Sequence, residues 1–401
     1  MRLKVARLRK KGCAISAPGT GRAQPLDLPV EQPYRFWQIM NLMAANALGL
    51  ANSAITRDPG GRGKPVRQFS IADFGLSIGP VVTLLAALAI SLVAVPLAAD
   101  AQQVKRPFRI GVLHTGFFEE VPSVAGLRAG LTAMGLEEGR DVTFDIRFTR
   151  GKLEDVSSAA TSLVKTTPDL MVAQQEYSAR ALKAATPKIP VVFVEVGDPL
   201  AADLVASVPR PGGNVTGVSS MATELTPKRL EILRATFPGV RRVWAVYHAD
   251  DLSSAAAARK AQEVAAVLKL EVVAQAVRTR EELVSHLKTL RSGDGLLAPP
   301  GLALNISGVI LDLELMSKWP ALFYNTFWVQ AGALVSYGSD PHAEGVQAAR
   351  LVARILRGER PQDLPVEGAN KIELAINLKT ARSLGITIPR DILVRADRVI
   401  E

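Results

Sequence analysis

The 401-residue chain has a single cysteine, Cys13, and none beyond it. A body without thiols forms no disulfide, holds no zinc through thiolates and presents no cysteine nucleophile. Histidine is scarce as well, at four. No two of the four have the helical spacing of a metal-ligand pair, so no metal site is expected. The G-x-S-x-G elbow, H-E-x-x-H and the phosphate-cradling G-x-x-x-x-G-K-[ST] are also missing. No cofactor is expected, and an exported α/β enzyme remains only an alternative assembled from distant residues. A concentrated basic surface is absent too, despite the formal charge of +10. Residues 1–101 hold 12 Lys and Arg against 5 Asp and Glu, a net of +7, so 36 against 33 leaves +3 for residues 102–401. Gripping phosphates takes clustered Lys and Arg, so nucleic acid is not an expected partner.

The front of the chain reads as a signal behind an extension. Residues 1–65 show no sustained period and are expected to be disordered or non-native, with translation starting downstream at Met40, Met43 or Val66. Over residues 66–101, Arg67 follows Arg62 and Lys64, no charge occurs from Phe74 to Ala99, and Val81 to Val95 form an apolar core. Ala99-Asp100-Ala101 then supplies the small residues of a cleavage site. Export to the periplasm with cleavage after Ala101 is expected. A retained membrane anchor is the competing reading, against which Pro96 counts. Gln102 stands where a lipoprotein would need cysteine.

From Arg109 onward, apolar runs suited to buried parallel strands alternate with helical stripes. Strands are expected at 109–114, 142–148, 170–173, 191–194 and 215–218. A helix over Leu200 to Val205 should precede the last of these, and another, capped by Ser178, should follow the third. The pattern restarts after Ser219. Thr226-Pro227 should open a helix, with strands at 243–247, 271–277, 295–298 and 321–324. Ala333 to Tyr337 reads as a strand, His342 to Leu356 as a helix, and Pro389 to Ile400 as a closing helix. The fold class is α/β: two Rossmann-like lobes with parallel sheets.

PGGNVTGVS at 211–219, VGDP at 196–199, KRLEIL at 228–233, VSYG at 335–338, LVARILRGERPQDLPVE at 351–367 and INLKTARSLGITIP at 376–389 resemble the ABC transporter substrate-binding protein family, tryptophan/tyrosine type. The resemblance implies a type I periplasmic binding protein: two lobes joined by crossing hinge segments near 218–224, 325–332 and 360–375. It places residues 107–218 plus about 331–360 in lobe 1, and about 219–330 plus 361–401 in lobe 2. It further implies a small-molecule ligand, but His114 to Glu120 and Gln174 to Tyr177 depart from the Ser-, Thr- and Gly-rich loops usual there, so the family's ligand does not carry over; an amino acid or an aromatic or carboxylate metabolite is the expected class. The partners it implies are an ABC permease in the inner membrane and the permease's cytoplasmic ATPase. A ligand-sensing periplasmic protein is the alternative within the same fold.

In such a cleft the loops after the strands meet the ligand, and free helix-start amides can grip an anion. The candidates there are His114, Thr115, Gly116 and Phe117, then Gln174, Glu176, Tyr177 and Ser178, then Gly197, Asp198 and Ser219. Across the cleft they are Tyr247, His248, Asp250, Asn325 and Phe327. Glu176 is the expected partner of a ligand ammonium. Asp198 is weighed more heavily as a turn residue, and each aromatic is as well suited to core packing as to stacking.

Overall fold

The computed structural model describes residues 106–301 and 309–401. The extension and export signal expected before Gln102 lie outside the described residues. Lobe 1 is a six-stranded, wholly parallel sheet in the order β11-β5-β4-β3-β1-β2. Its strands are β1 (Phe108–His114), β2 (Val142–Phe148), β3 (Leu170–Gln174), β4 (Val191–Val196), β5 (Val215–Ser219) and the short β11 (Glu367–Gly368). β3 and β5 are buried at every residue, as continuous apolar runs covered on both faces must be. The helices are α1 (Pro122–Ala133), α2 (Val156–Lys165) and α3 (Gln175–Ala185), and from far along the chain α9 (Pro341–Leu356).

α1 and α9 pack closely through glycine. A Cβ on Gly126 would fall 2.0 Å from the His342 carbonyl oxygen, and one on Gly345 would fall 2.0 Å from that of Ser123. No side chain larger than hydrogen fits between these backbones.

Lobe 2 is a seven-stranded sheet in the order β13-β12-β10-β9-β8-β6-β7. It comprises β6 (Arg242–His248), β7 (Glu271–Val277), β8 (Asp294–Leu297), β9 (Ala321–Phe323) and β10 (Val335–Ser339), followed by β12 (Ile372–Asn377) and β13 (Arg398–Ile400). β6 to β10 run parallel in the winding order that β1 to β5 follow in lobe 1, and β12 joins β10 antiparallel. Helices α4 (Ala222–Thr236), α5 (Leu252–Ala265), α6 (Arg280–Leu287), α7 (Val309–Ser317), α8 (Thr326–Gln330), α10 (Leu378–Leu384) and α11 (Arg390–Val394) complete it. Two α/β lobes with parallel strands and a shared winding make the type I periplasmic-binding architecture. Among the described residues no helix is long and apolar enough to cross a membrane.

The chain passes between lobes from β5 to α4, from β10 to α9, and from β11 to β12. The second passage therefore lies at Ser339–Pro341 rather than at 325–332, because β10 is held in the lobe 2 sheet between β9 and β12. Beside the first passage, Arg229 is buried and spends its guanidinium on the carbonyls of Ala222, Tyr324 and Tyr337. Burial pulls it down to about 10, so it is still a cation at neutral pH.

Several local expectations are corrected. Residues 199–203 form turns, not a helix: Asp198 Oδ1 caps them through the amides of Leu200 and Ala201, but Asp203, left-handed at φ 52°, ends them after little more than one turn. α3 begins at Gln175, so Ser178 lies inside it and caps nothing. α4 begins at Ala222 and Pro227 sits within it; Met221, left-handed at φ 53°, turns the chain out of the passage five residues early. The closing segment is the short α11 and then β13, since residues 398–400 pair with β12.

Candidate functional site

The carboxyl ends of β1, β3 and β4 in lobe 1 face those of β6, β8 and β9 in lobe 2, the edge at which open α/β sheets take ligands. The lobes are in contact there, and the strongest link is Glu176. It stands in the first turn of α3, almost completely buried. Its Oε1 accepts the Leu252 amide at 3.0 Å and its Oε2 the Ser253 amide at 2.9 Å. A lobe 1 carboxylate thus occupies the positive end of a lobe 2 helix, α5. The next amide, of Ser254, is taken by the N-cap Asp251 at 2.8 Å. Burial, and then the charge of Glu176, push the Asp251 carboxyl up to about 7. Arg180 approaches Glu176 only to 3.6 Å.

Around this link the closure is continued by Tyr177, whose hydroxyl meets His248 Nδ1 at 2.9 Å, and by Ser253 Oγ. The latter accepts the Asp198 amide at 3.1 Å and donates to the Asp198 carbonyl at 3.2 Å. Gly197 permits that approach: a Cβ there would lie 3.0 Å from Ala222 Cβ and 3.1 Å from Ser253 Cβ.

Behind Glu176 lies a second acid site. Glu195, near the end of β4, is left-handed at φ 57°, and the β4–β5 register shifts across it. A non-glycine residue there costs about 1–3 kcal/mol, and the kink turns its carboxylate into the cleft between the lobes. Gln174 Nε2 donates to Glu195 Oε1 at 2.8 Å, and the Glu195 amide donates to Glu344 Oε2 at 2.8 Å. Glu344 comes from the first turn of α9 and is buried, with its Oε1 unpartnered. Burial raises the Glu195 carboxyl; burial and then the charge of Glu195 push Glu344 up to about 8. Both are thereby biased toward the neutral form, a bias that a nearby cation would reverse.

Between these acids the closed lobes leave room for about one water molecule. Its wall includes Glu176, Glu195 and Asp251 and, among the described residues, no Lys or Arg. At the end of β9, Asn325 is buried with its Oδ1 unpartnered.

Other candidates carry structure. His114 is fully buried, accepts the Gly116 amide at Nδ1, lies 3.2 Å from the Glu119 carbonyl through Nε2 and stacks on Phe148. Burial lowers it to about 4, so both ring nitrogens serve the β1 loop as a neutral imidazole. Thr115 donates to Gln175 Oε1. Ser219 donates to the Val196 carbonyl and accepts the Met221 amide, tying down the first passage. Ser178 is buried without a partner for its hydroxyl. Asp250 is exposed and paired with Arg278. Tyr247 packs on the α4 side of the lobe 2 sheet, and Phe327 packs edge-on against Trp328. Phe117 is half-buried in the β1 loop.

Sequence reasoning missed Glu195, Asp251, Ser253 and Glu344. A signal existed for two of them: Glu195 is the one charge in the apolar run Val191–Val196, and Glu344 sits on the buried face of α9.

Residues 114–400 match a family described as ABC transporter substrate binding protein. The "Tyrosine-binding protein" of Clostridioides difficile strain R20291 is 27% identical over 261 residues, 65% of this chain and 75% of that one. Among solved structures, a conserved domain protein from Vibrio cholerae is 30% identical with a TM-score of 0.66. An ABC domain in complex with L-Trp from Streptococcus pneumonia is 29% identical with a TM-score of 0.67. In both cases 73% of this chain covers all of the other.

Proposed function

Because the chain belongs to the ABC transporter substrate-binding protein family, we propose that it captures a small organic solute bearing a protonated amine between its lobes. It then hands that solute to a membrane permease. The observation that carries this reading is the cleft wall itself, which holds the acids Glu176, Glu195 and Asp251 and, among the described residues, no Lys or Arg. An ammonium seated there supplies the positive charge and the donors that the wall lacks. Tyrosine and tryptophan, named for the relatives, both carry such a group.

Capture is a hinge closure: ligand contacts made to both walls favour the closed arrangement, which the permease then recognises. The proposed setting is the periplasm, with the permease in the inner membrane driven by a cytoplasmic ATPase. No covalent chemistry is involved.

A thermal-shift screen against amines, amino acids, sugars and nucleosides tests this. A compound at about 100 times its Kd adds about 2.7 kcal/mol of stability. The expected hits bear an amine, are recovered chemically unchanged, and bind at least tenfold more weakly to Glu195→Gln. Turnover of a hit, or hits confined to compounds without an amine, would sink the proposal.

A further inference from the structure

The walls of this cleft differ in which charge they can accept from a solute, and the difference turns on Glu176. α5 is 14 residues long, and the amides of its first turn are the donors that a ligand carboxylate would seek in lobe 2. All three that open the helix are already taken. Leu252 and Ser253 donate to Glu176, and Ser254 donates to Asp251. The space that remains is about that of a primary ammonium group. Of the polar side chains on its wall, Glu195 and Asp251 are acids. A second carboxylate brought into this space would meet Glu195 and Asp251 with no Lys or Arg on the wall among the described residues.

Resting on the reading of this chain as a solute binder and narrowing it, we propose that Glu176 is a specificity-determining residue. It fills the anion seat of the cleft from within the protein, so that the solute taken is an organic amine or guanidine without a carboxylate. Closure on such a cation reforms the Glu176–α5 bonds, and the cation's charge falls beside Glu195 and Asp251. Closure on a zwitterionic amino acid requires either that Glu176 leave the amides or that the ligand carboxylate remain unpaired. A buried unpaired charge of that kind excludes a ligand strongly.

Matched pairs in isothermal titration calorimetry test this on the whole protein: tyramine with tyrosine, tryptamine with tryptophan, and agmatine with arginine. In the wild type at least one amine binds, and at least tenfold tighter than its amino acid. In Glu176→Ala, which frees the two amides, the amine-to-amino-acid ratio falls tenfold or more because the amino acid gains. Glu176→Gln keeps the side chain's size and one acceptor. It shifts the ratio the same way by a smaller factor, and provides the reading should the alanine variant not fold.

An amino acid that binds as tightly as its amine in the wild type would overturn the proposal, as would a ratio unchanged in a folded variant. So would the absence of binding by every cation tested. Hits among amino acids, sugars or nucleosides in that last case leave solute binding standing while removing the assignment to Glu176. A protein that binds nothing in the broad screen loses both.

Discussion

Lobe 1 meets the cleft with the side-chain carboxylates of Glu176 and Glu195, with Glu344 buried behind Glu195, whereas lobe 2 meets it with the backbone amides that start α5 and with a single carboxylate, Asp251. The donors of lobe 2 satisfy only one of the three lobe 1 acids. Glu176 therefore serves closure, while Glu195 takes a donor from Gln174 and Glu344 takes the Glu195 amide, both within lobe 1. The walls are also held in place differently. Lobe 1 depends on glycine contacts between α1 and α9, and lobe 2 on a buried cation, Arg229, beside the first passage.

The largest expected effect is in lobe 2. Arg229→Leu removes a donor from three buried carbonyls, of which that of Ala222 keeps Thr226 Oγ1, at about 1–3 kcal/mol each. Denaturant unfolding should show a loss of at least ~3 kcal/mol; a loss under ~1 kcal/mol would mean that Arg229 does not anchor this wall. In lobe 1, Gly345→Ala drives a Cβ against the Ser123 carbonyl and should cost about 1–3 kcal/mol by overpacking. An unchanged melting temperature would show that α1 and α9 can separate freely.

The carboxylates give the contrast a pH dependence. Asp251 and Glu344, at about 7 and about 8, are held above their unfolded values, so each adds stability at low pH that is lost as pH rises through those values. His114, at about 4, acts oppositely below pH 6.5, where the unfolded chain binds its proton more readily. Only the carboxylates act from pH 6.5 to 9, and there the melting temperature of the empty protein should fall. Asp251→Asn, which keeps the helix cap, should flatten the fall, and an equal slope in both proteins would remove Asp251 from the account. The smallest effect is expected for Tyr177→Phe, which deletes one hydrogen bond between the walls to His248. It should shift the open–closed balance by about 0.5–1.5 kcal/mol, read as a larger radius of gyration in small-angle scattering of the empty protein.

The strands and most helices were legible because their signal is local. Val191–Val194 and Val215–Val218 are apolar runs that only a sheet covered on both faces accommodates. The site was legible in part. Glu176, Tyr177, Gly197 and His248 were found from their place after strands, and all four lie where the lobes touch. The turn role weighed for Asp198 is the one its side chain plays, since Oδ1 takes the Leu200 and Ala201 amides. His114 and Tyr247 were misjudged because a strand-end position does not reveal which way a ring points. The helix expected over residues 200–205 failed for a different reason: Leu200, Leu204 and Val205 have helical spacing, but Asp203 turns left-handed and stops it.

Residue periodicity alone determined that this chain builds two α/β lobes with loops at the strand ends, because a buried strand or an amphipathic helix is written in neighbouring residues. Only the tertiary structure decided that β10 belongs to lobe 2, that Glu176 caps a helix 76 residues away, and that Glu195 meets Glu344 across 149 residues. Those outcomes follow from sheet order and lobe closure, which bring side chains together that no spacing along the chain connects.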